Sequence, residues 1–97
     1  MIPTRFRIDA DHPVLPGHFP GRPVVPGVVL LDRVAAVIER EFGARVTALP
    51  QVKFLAPLLP EQEAELRVEE KDKKLHFGIF RNGAAIASGV AETEAGA

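Results

Sequence analysis

The stretch GVVLLDRVAAVIEREFG, Gly27 to Gly43, decides the fold because it carries a sustained helical pattern. Its apolar residues recur three and four positions apart, the spacing that places side chains on one face of a helix. Pro26 stands where a first helical turn would begin, and Gly43 supplies a typical stop signal. The first half is apolar over most of its circumference, so the pattern predicts a deeply buried helix.

The segments around this helix show the alternation typical of half-buried β-strands. Thr4 to Asp9 alternates apolar with basic residues, and a second strand is expected from Arg45 to Leu55, broken near Pro50. Further strands are predicted at 63–69, 75–80 and 84–93, with a polar turn at 71–73 and an Asn-Gly hairpin signal at 82–83. This order predicts an α+β protein in which one long helix is wrapped by a curved antiparallel β-sheet.

Length and composition narrow the possible functions. The 97 residues suffice for one domain, 1–97, with a thin core, and apolar content is ordinary at 46%. The net charge of −1 gives no sign of nucleic-acid binding, and the lack of cysteine excludes a thiolate metal site. Neither a membrane span nor a secretion signal is visible, so we expect a cytoplasmic protein.

A proline-rich loop and one helical carboxylate are the candidates for chemistry. The segment 11–26 holds five prolines and His18, and should be a stiff loop. Asp32 has no cation three or four positions away on its helix, so any partner must come from elsewhere in the fold. Alternatively, Asp32 is a solvated residue of an amphipathic helix and His18 a loop histidine bonded to nearby backbone. His12 and His76 are interpreted as having no catalytic role.

Taken together, His18 and Asp32 fit an elimination that passes through an enolate. Such a reaction needs a base that titrates near neutrality, amide donors for the developing oxyanion, and a separate acid for the leaving hydroxyl. The free amides of a helix N-terminus supply the donors. Burial of Asp32 would favour the protonated form that a general acid requires.

The stretch GHFPGRPVVPG, Gly17 to Gly27, resembles the signature G-H-F-x-G-x-P-x-x-P-G of the β-hydroxyacyl-acyl-carrier-protein dehydratases of the FabA and FabZ types. Asp32 follows His18 by fourteen residues, where the FabZ type has Glu and the FabA type has Asp. The segment VKFLAP, 52–57, is similar to a family strand in which a Phe and a Pro recur. The resemblance implies the hot-dog fold.

The resemblance also implies roles for the matching residues. His18 would remove the C2 proton, Asp32 would protonate the departing 3-hydroxyl, and the Gly27 amide would polarise the thioester carbonyl. Phe19, Pro26 and Val28 would contribute to the substrate site. The family pairs the histidine of one subunit with the acid of the other, which implies a homodimer or a higher oligomer built from it, and no cofactor or metal is implied.

The sequence departs from the family pattern in two respects. Ala36 stands where the family usually has Gln, one helical turn after the acid, and this puts the rate in doubt. Few residues precede the motif, which implies a reduced cover over the acyl tunnel and a different or less constrained acyl group. Compact relatives that serve specialised acyl pathways, such as aryl polyene pigment synthesis, look like this in outline.

The acyl group of the substrate is expected to be carried as a thioester by an acyl carrier protein or by coenzyme A. A carrier protein is acidic, so it should dock on basic residues and away from the glutamates of 61–70. Two alternatives to the dehydratase stay open: a hot-dog acyl thioesterase, and a non-catalytic subunit that binds acyl thioesters. Arg22 and Arg33 are the main docking candidates, among a wider basic set of Arg5, Arg7, Arg22, Arg33, Arg40 and Lys53.

Overall fold

The computed structural model describes residues 3–9 and 24–95. It contains one helix and five strands in the order β1, α1, β2, β3, β4 and β5. Their bounds are β1 Thr4–Arg7, α1 Gly27–Phe42, β2 Ala44–Phe54, β3 Glu63–Lys71, β4 Lys74–Arg81 and β5 Ala84–Ala95.

All strands belong to one antiparallel sheet with the order β1-β3-β4-β5-β2. The consecutive strands β3, β4 and β5 are neighbours, whereas β1 and β2, which flank the helix in sequence, form the two edges. The α+β architecture expected from the sequence is confirmed. No helix in the described ranges is long and apolar enough to cross a membrane.

The core lies between one side of α1 and one face of the sheet. The helix contributes Val34 and Ile38, both fully buried, and the strands contribute alternate residues, as a pleated sheet with one covered face requires. Complete burial of such aliphatic side chains stabilises the fold by roughly 1.5–3 kcal/mol each. The remaining core residues include Val29, Leu30, Val37, Leu66, Val68, Phe77, Ile79 and Ala91.

The helix begins and ends where its sequence signals stand. Pro26 is the N-cap, with the extended backbone angles φ −61° and ψ 145°. Gly43 is the C-cap in the left-handed conformation, φ 63°, and its amide donates to the Glu39 carbonyl at 3.2 Å. A residue with a β-carbon would be strained there, so glycine defines this end of the helix.

One expectation about the strands is wrong: β2 is not broken at Pro50. The strand runs from Ala44 to Phe54, and its pairing with β5 shifts register between Val46 and Ala48 and again between Ala48 and Gln51. Proline lacks the amide that a ladder needs, and an edge strand with a register irregularity accommodates it.

Two tight hairpins connect the last three strands. Asp72 and Lys73 have φ values of 53° and 64°, and Asn82 and Gly83 have 51° and 82°. Positive φ at both central residues is the type I′ geometry, which matches the right-handed twist of the adjoining strands. The Asn-Gly prediction is confirmed, and the polar turn expected at 71–73 reduces to two residues.

Candidate active site

The first amides of α1 have no acceptor within the described part of the backbone. The amides of Val29 and Leu30 both donate to the Pro26 carbonyl, at 3.0 and 3.4 Å, so the amides of Gly27 and Val28 precede the first intrahelical bond. Pro26 makes no side-chain cap. Free amides at the positive end of a helix dipole favour a carbonyl oxygen that is gaining negative charge.

Asp32 lies on the next turn of the helix and is exposed. Within 3–9 and 24–95 its carboxylate has neither an ion pair nor a hydrogen bond. The expectation of a buried carboxylate is therefore wrong for the single chain. The physical reason is the direction of the side chain: Val34 and Ile38 point into the core, and Asp32 projects from the opposite side of the helix.

A groove of about 290 Å³ runs beside Asp32, between α1 and β1. Ala36 lines it one turn after Asp32, and its methyl group leaves open the space that a longer side chain would occupy. Three arginines also line the groove, and the Arg33 guanidinium lies 5.9 Å from the centre of the Phe6 ring. The groove lining consists of Thr4, Arg5, Phe6, Val29, Asp32, Arg33, Ala36, Val37 and Arg40.

The structure brings some of the predicted site residues together. Pro26, Gly27 and Val28 form the first turn of α1, and Asp32 follows on the second. Val28 is 59% exposed although it is apolar, which makes it accessible to a substrate or a second chain. The predictions for His18, Phe19 and Arg22 concern residues outside the described ranges.

The basic residues predicted to bind a carrier divide into two groups. Arg5 and Arg7 on β1 lie 3.8 and 3.4 Å from Glu63 and Glu61, so these cations offset acidic groups at the start of β3. Arg40 lies 3.3 Å from its neighbour Glu41. Among the described candidates, only Arg33 and Lys53 form no ion pair with the described residues.

One contact at this site was not predicted from the sequence. A β-carbon built on Gly27 would lie 2.6, 2.9 and 3.1 Å from the three outer carbons of the Phe54 ring. The end of the ring therefore rests on the Gly27 backbone. The recurrence of Phe in the 52–57 segment was the only available signal, and it did not identify the partner.

An apolar groove of about 410 Å³ adjoins this contact. It lies between the start of α1 and the segment that follows β2, and its lining consists of Val24, Val25, Gly27, Leu30, Phe54, Leu55, Ala56, Pro57 and Leu58. No group of three or more potential metal ligands occurs in the described part of the chain. The described site residues supply the amides at the start of α1, the Asp32 carboxylate and the apolar surface of this groove.

The helix and the five-stranded antiparallel sheet are those of the hot-dog fold, and a comparison of the sequence with family models identifies the family within it. A family model described as ApeI-like, ApeI dehydratase, matches residues 1–90. The chain belongs to this ApeI-like dehydratase family.

Curated relatives named 3-hydroxyacyl-acyl-carrier-protein dehydratase FabZ support the assignment. The protein from Geotalea uraniireducens is 32% identical over 100 residues, covering 91% of this chain and 68% of its own. The Anaeromyxobacter protein is 31% identical, covering 91% of this chain and 63% of its own. The matched region spans between 62% and 66% of the first three curated relatives.

Solved structures support the fold. The Dehydratase Heterocomplex ApeI:P from Xenorhabdus doucetiae matches with a TM-score of 0.80 and 25% identity, covering 94% of this chain and 84% of that one. The BH1999 gentisyl-coenzyme A thioesterase matches with a TM-score of 0.59 and 20% identity, covering 95% and 87%. The hot-dog fold is thus confirmed, and it is shared by proteins with different reactions.

Proposed function

We propose that this protein dehydrates a 3-hydroxyacyl thioester to the 2-enoyl thioester. The observation that supports this most is the pairing, on one helix, of an N-terminus at Gly27 that lacks a side-chain cap from Pro26 with the exposed carboxylate of Asp32, which has no partner among residues 3–9 and 24–95. Five residues of helix separate them by roughly 7.5 Å along the axis. The site thus offers a hydrogen-bond donor for the oxyanion and a general acid, held at a fixed distance from each other by the helix.

In the proposed reaction His18 removes a proton from C2, and the electrons of that bond move into the thioester carbonyl. The Gly27 amide stabilises the enolate oxygen that results. Collapse of the enolate forms the C2–C3 double bond and breaks the C3–O bond, while Asp32 gives its proton to the departing hydroxyl. Water leaves, and a proton passes from His18 to Asp32 to restore both groups.

The proposed assembly is a homodimer, because residues 3–9 and 24–95 of one chain leave both an apolar surface and a sheet edge uncovered. Val28 is exposed, Leu31 and Ala35 are half-buried, and they lie on the same side of α1. The edge strand β2 has β5 on one side only. A second copy seated on this face would shield Asp32 from water and bring another His18 within reach, as in the dimeric family members.

A heterodimer is the second candidate for the assembly. The relative from Xenorhabdus doucetiae is described as a heterocomplex, ApeI:P. A partner of the same fold could cover the same helix face and edge strand. Native mass spectrometry of the purified chain distinguishes the two, since a homodimer forms from this chain alone and a heterodimer requires a second protein.

We propose that the acyl group is attached through its thioester to an acyl carrier protein, with coenzyme A as the alternative carrier. Arg33 supports carrier docking because its charge has no ion-pair partner in the described part of the chain and lies beside Asp32. We expect Arg22→Glu and Arg33→Glu to weaken carrier binding, measured by titration calorimetry. Arg67→Glu, on the exposed side of the interior strand β3, is the control. Equal affinities for all variants would exclude docking through these arginines.

The decisive test of function follows the acyl group by mass. Purified protein is incubated with a 3-hydroxyacyl-carrier thioester and, separately, with the matching 2-enoyl thioester. Loss of one water from the first and gain of one by the second would establish a reversible dehydratase, provided that His18→Ala and Asp32→Ala abolish both. Release of free thiol would instead identify a thioesterase, and binding without turnover would identify a non-catalytic subunit.

A further inference from the structure

Both ends of the segment 10–23 are held by the same turn of the chain. Glu61 donates its amide to the Ile8 carbonyl at 2.8 Å, just before the segment begins. Val25 donates its amide to the Leu58 carbonyl, also at 2.8 Å, just after the segment ends. Leu58 and Glu61 are three residues apart in the sequence, so these two hydrogen bonds set the distance between the ends of the segment.

These two anchor points are built into the core. Ile8, Val25 and Leu58 are all buried, so the side chains beside both hydrogen bonds are packed in place. The amide of Ala56 donates to the Ile86 carbonyl at 3.2 Å, which joins the segment after β2 to the sheet. The anchors therefore belong to the packed part of the fold.

The turn between the anchors runs from Leu59 to Gln62. Gln62 donates its amide to the Leu59 carbonyl at 3.3 Å, and its side-chain oxygen accepts from the Leu59 amide at 3.0 Å. Pro60 is the second residue of the turn and Glu61, with φ 69°, is the third. This is the pattern of a type II turn, whose third position is normally Gly or Asn because φ is positive there.

Glu61 is strained in this conformation, and its contacts indicate what the strain maintains. Of the described non-glycine residues with positive φ, it is the one that lies outside the two hairpins. Strain of this kind persists where the surrounding structure enforces it, and it is concentrated at functional sites. The Glu61 carboxylate lies 3.4 Å from the Arg7 guanidinium, but both side chains are more than half exposed and such a pair contributes little. The conformation therefore serves mainly to present the Glu61 amide to Ile8.

We propose that Glu61 is a positioning residue for His18, acting through the distance that it sets between the ends of the segment 10–23. The inference rests on the proposed dehydratase function, in which His18 removes the C2 proton. Fixing the ends of a chain segment reduces the conformations available to it. Val25, at the second anchor, stands two residues before Gly27. The turn thus relates the position of the base to that of the oxyanion donor.

The test replaces Glu61 by valine, whose β-branched side chain is excluded from positive φ more strongly than that of glutamate. We expect Glu61→Val to lower kcat/KM for a 3-hydroxyacyl thioester by about 10- to 100-fold, since a displacement of about 1 Å can cost roughly 10²-fold. The isotope effect measured with substrate deuterated at C2 should rise, because a displaced base slows proton removal relative to the other steps. Glu61→Gly adopts positive φ without strain and should restore the wild-type isotope effect.

Asp72→Val is the matched control, because Asp72 also has a positive φ, 53°, but lies in the β3–β4 hairpin. It should lower the free energy of unfolding by a similar amount and leave kcat/KM and the isotope effect unchanged. A glycine inserted between Leu59 and Pro60 lengthens the spacing of the anchors without removing a bonding group, and this variant replaces Glu61→Val if valine prevents folding. The same insertion between Asp72 and Lys73 is its control.

The proposed function and the role of Glu61 fail in different ways. A wild type that dehydrates no substrate refutes the function. If the wild type dehydrates and Glu61→Val is as active as Asp72→Val at equal concentrations of folded protein, the role of Glu61 is overturned. A loss of activity specific to Glu61→Val with an unchanged isotope effect also overturns it, because the turn would then act on a step other than proton removal.

Discussion

At the scale of single residues, Asp32 is the described residue on which the proposed chemistry depends most. It is exposed, it has no ion pair or hydrogen bond with the described residues, and it stands on a helix whose opposite side is fully buried. An exposed carboxylate without a partner among the described residues fits both a solvated helix residue and the proposed general acid, and substitution distinguishes the two.

Substitution of Asp32 should therefore separate activity from stability. We expect Asp32→Asn to reduce dehydration by about 10²–10⁴-fold, the usual contribution of a general acid, because the amide cannot donate a proton to the leaving hydroxyl. The free energy of unfolding should change by less than about 0.5 kcal/mol, as for exposed substitutions without lost partners. Steady-state kinetics and urea denaturation measure the two effects.

Glu41→Gln on the same helix is the control and should retain activity. A stable and fully active Asp32→Asn protein would show that Asp32 has no part in the mechanism.

The contact between Gly27 and Phe54 gives a second prediction at this scale. Gly27→Ala places a β-carbon in the volume of the Phe54 ring, and the exposed ring can move away at little cost. We expect Gly27→Ala to lower activity by displacing the ring, with only a small loss of thermal stability.

A double-mutant cycle tests this coupling. In a Phe54→Ala background the added methyl group meets no ring, so Gly27→Ala should then change activity little further. Additive effects of the two substitutions, measured as kcat/KM on one substrate, would show that the contact does not couple the two residues.

At the scale of elements, the two hairpin turns share a geometry but differ in how well their residues suit it. Asn82-Gly83 is a preferred type I′ pair, whereas Asp72-Lys73 places a lysine at φ 64°. The left-handed conformation costs a residue with a β-carbon roughly 1–2 kcal/mol.

Lys73→Gly should therefore stabilise the protein, by about 0.5–1 kcal/mol after the greater flexibility of glycine in the unfolded chain is subtracted. For a chain of this size, that corresponds to a rise in Tm of several degrees, measurable by calorimetry. Lys71→Gly, within β3, is the control and should destabilise. A lower Tm for Lys73→Gly would show that the lysine side chain makes a stabilising contribution larger than its strain.

The elements themselves could be predicted from the sequence because their signals are local. Helical spacing and Gly43 indicated α1, and alternation indicated the strand at 63–69, whose Leu66 and Val68 lie on the buried face. The continuity of β2 through Pro50 could not be predicted, since a proline usually interrupts a strand and the register shifts that accommodate it depend on β5. Features that depend on distant segments were not visible in the sequence.

The candidate site was predictable only in part, for the same reason. The positions of Gly27 and Asp32 on α1 follow from the helical pattern. The contact of Phe54 with Gly27 joins residues from different elements, which no sequence spacing reveals. The exposure of Asp32 was mispredicted because an apolar stretch was interpreted as burial on all sides, and the fold of one chain buries only the side that faces the sheet.

At the scale of the whole molecule, α1 contacts β2, and β2 is an edge strand of the described sheet. Both elements carry exposed apolar residues, Val28 on α1 and Phe54 at the end of β2. An unpaired edge strand beside exposed apolar groups is a liability in a monomer, and pairing with a second chain removes it.

The proposed homodimer therefore predicts that a charge on this face separates the subunits. Val28→Glu should shift the protein from dimer to monomer, measured by native mass spectrometry across a concentration series, because dimerisation would bury the new carboxylate without a partner. The monomer should remain folded, as judged by circular dichroism, since position 28 is exposed in the single chain.

Leu59→Glu is the control. It introduces the same charge on an exposed residue between β2 and β3 and should leave the dimer intact. Dehydration should fall together with the dimer fraction if the histidine and the acid come from different subunits. A Val28→Glu protein that stays dimeric would place the interface elsewhere, and a wild type that is monomeric at all concentrations would refute the homodimer.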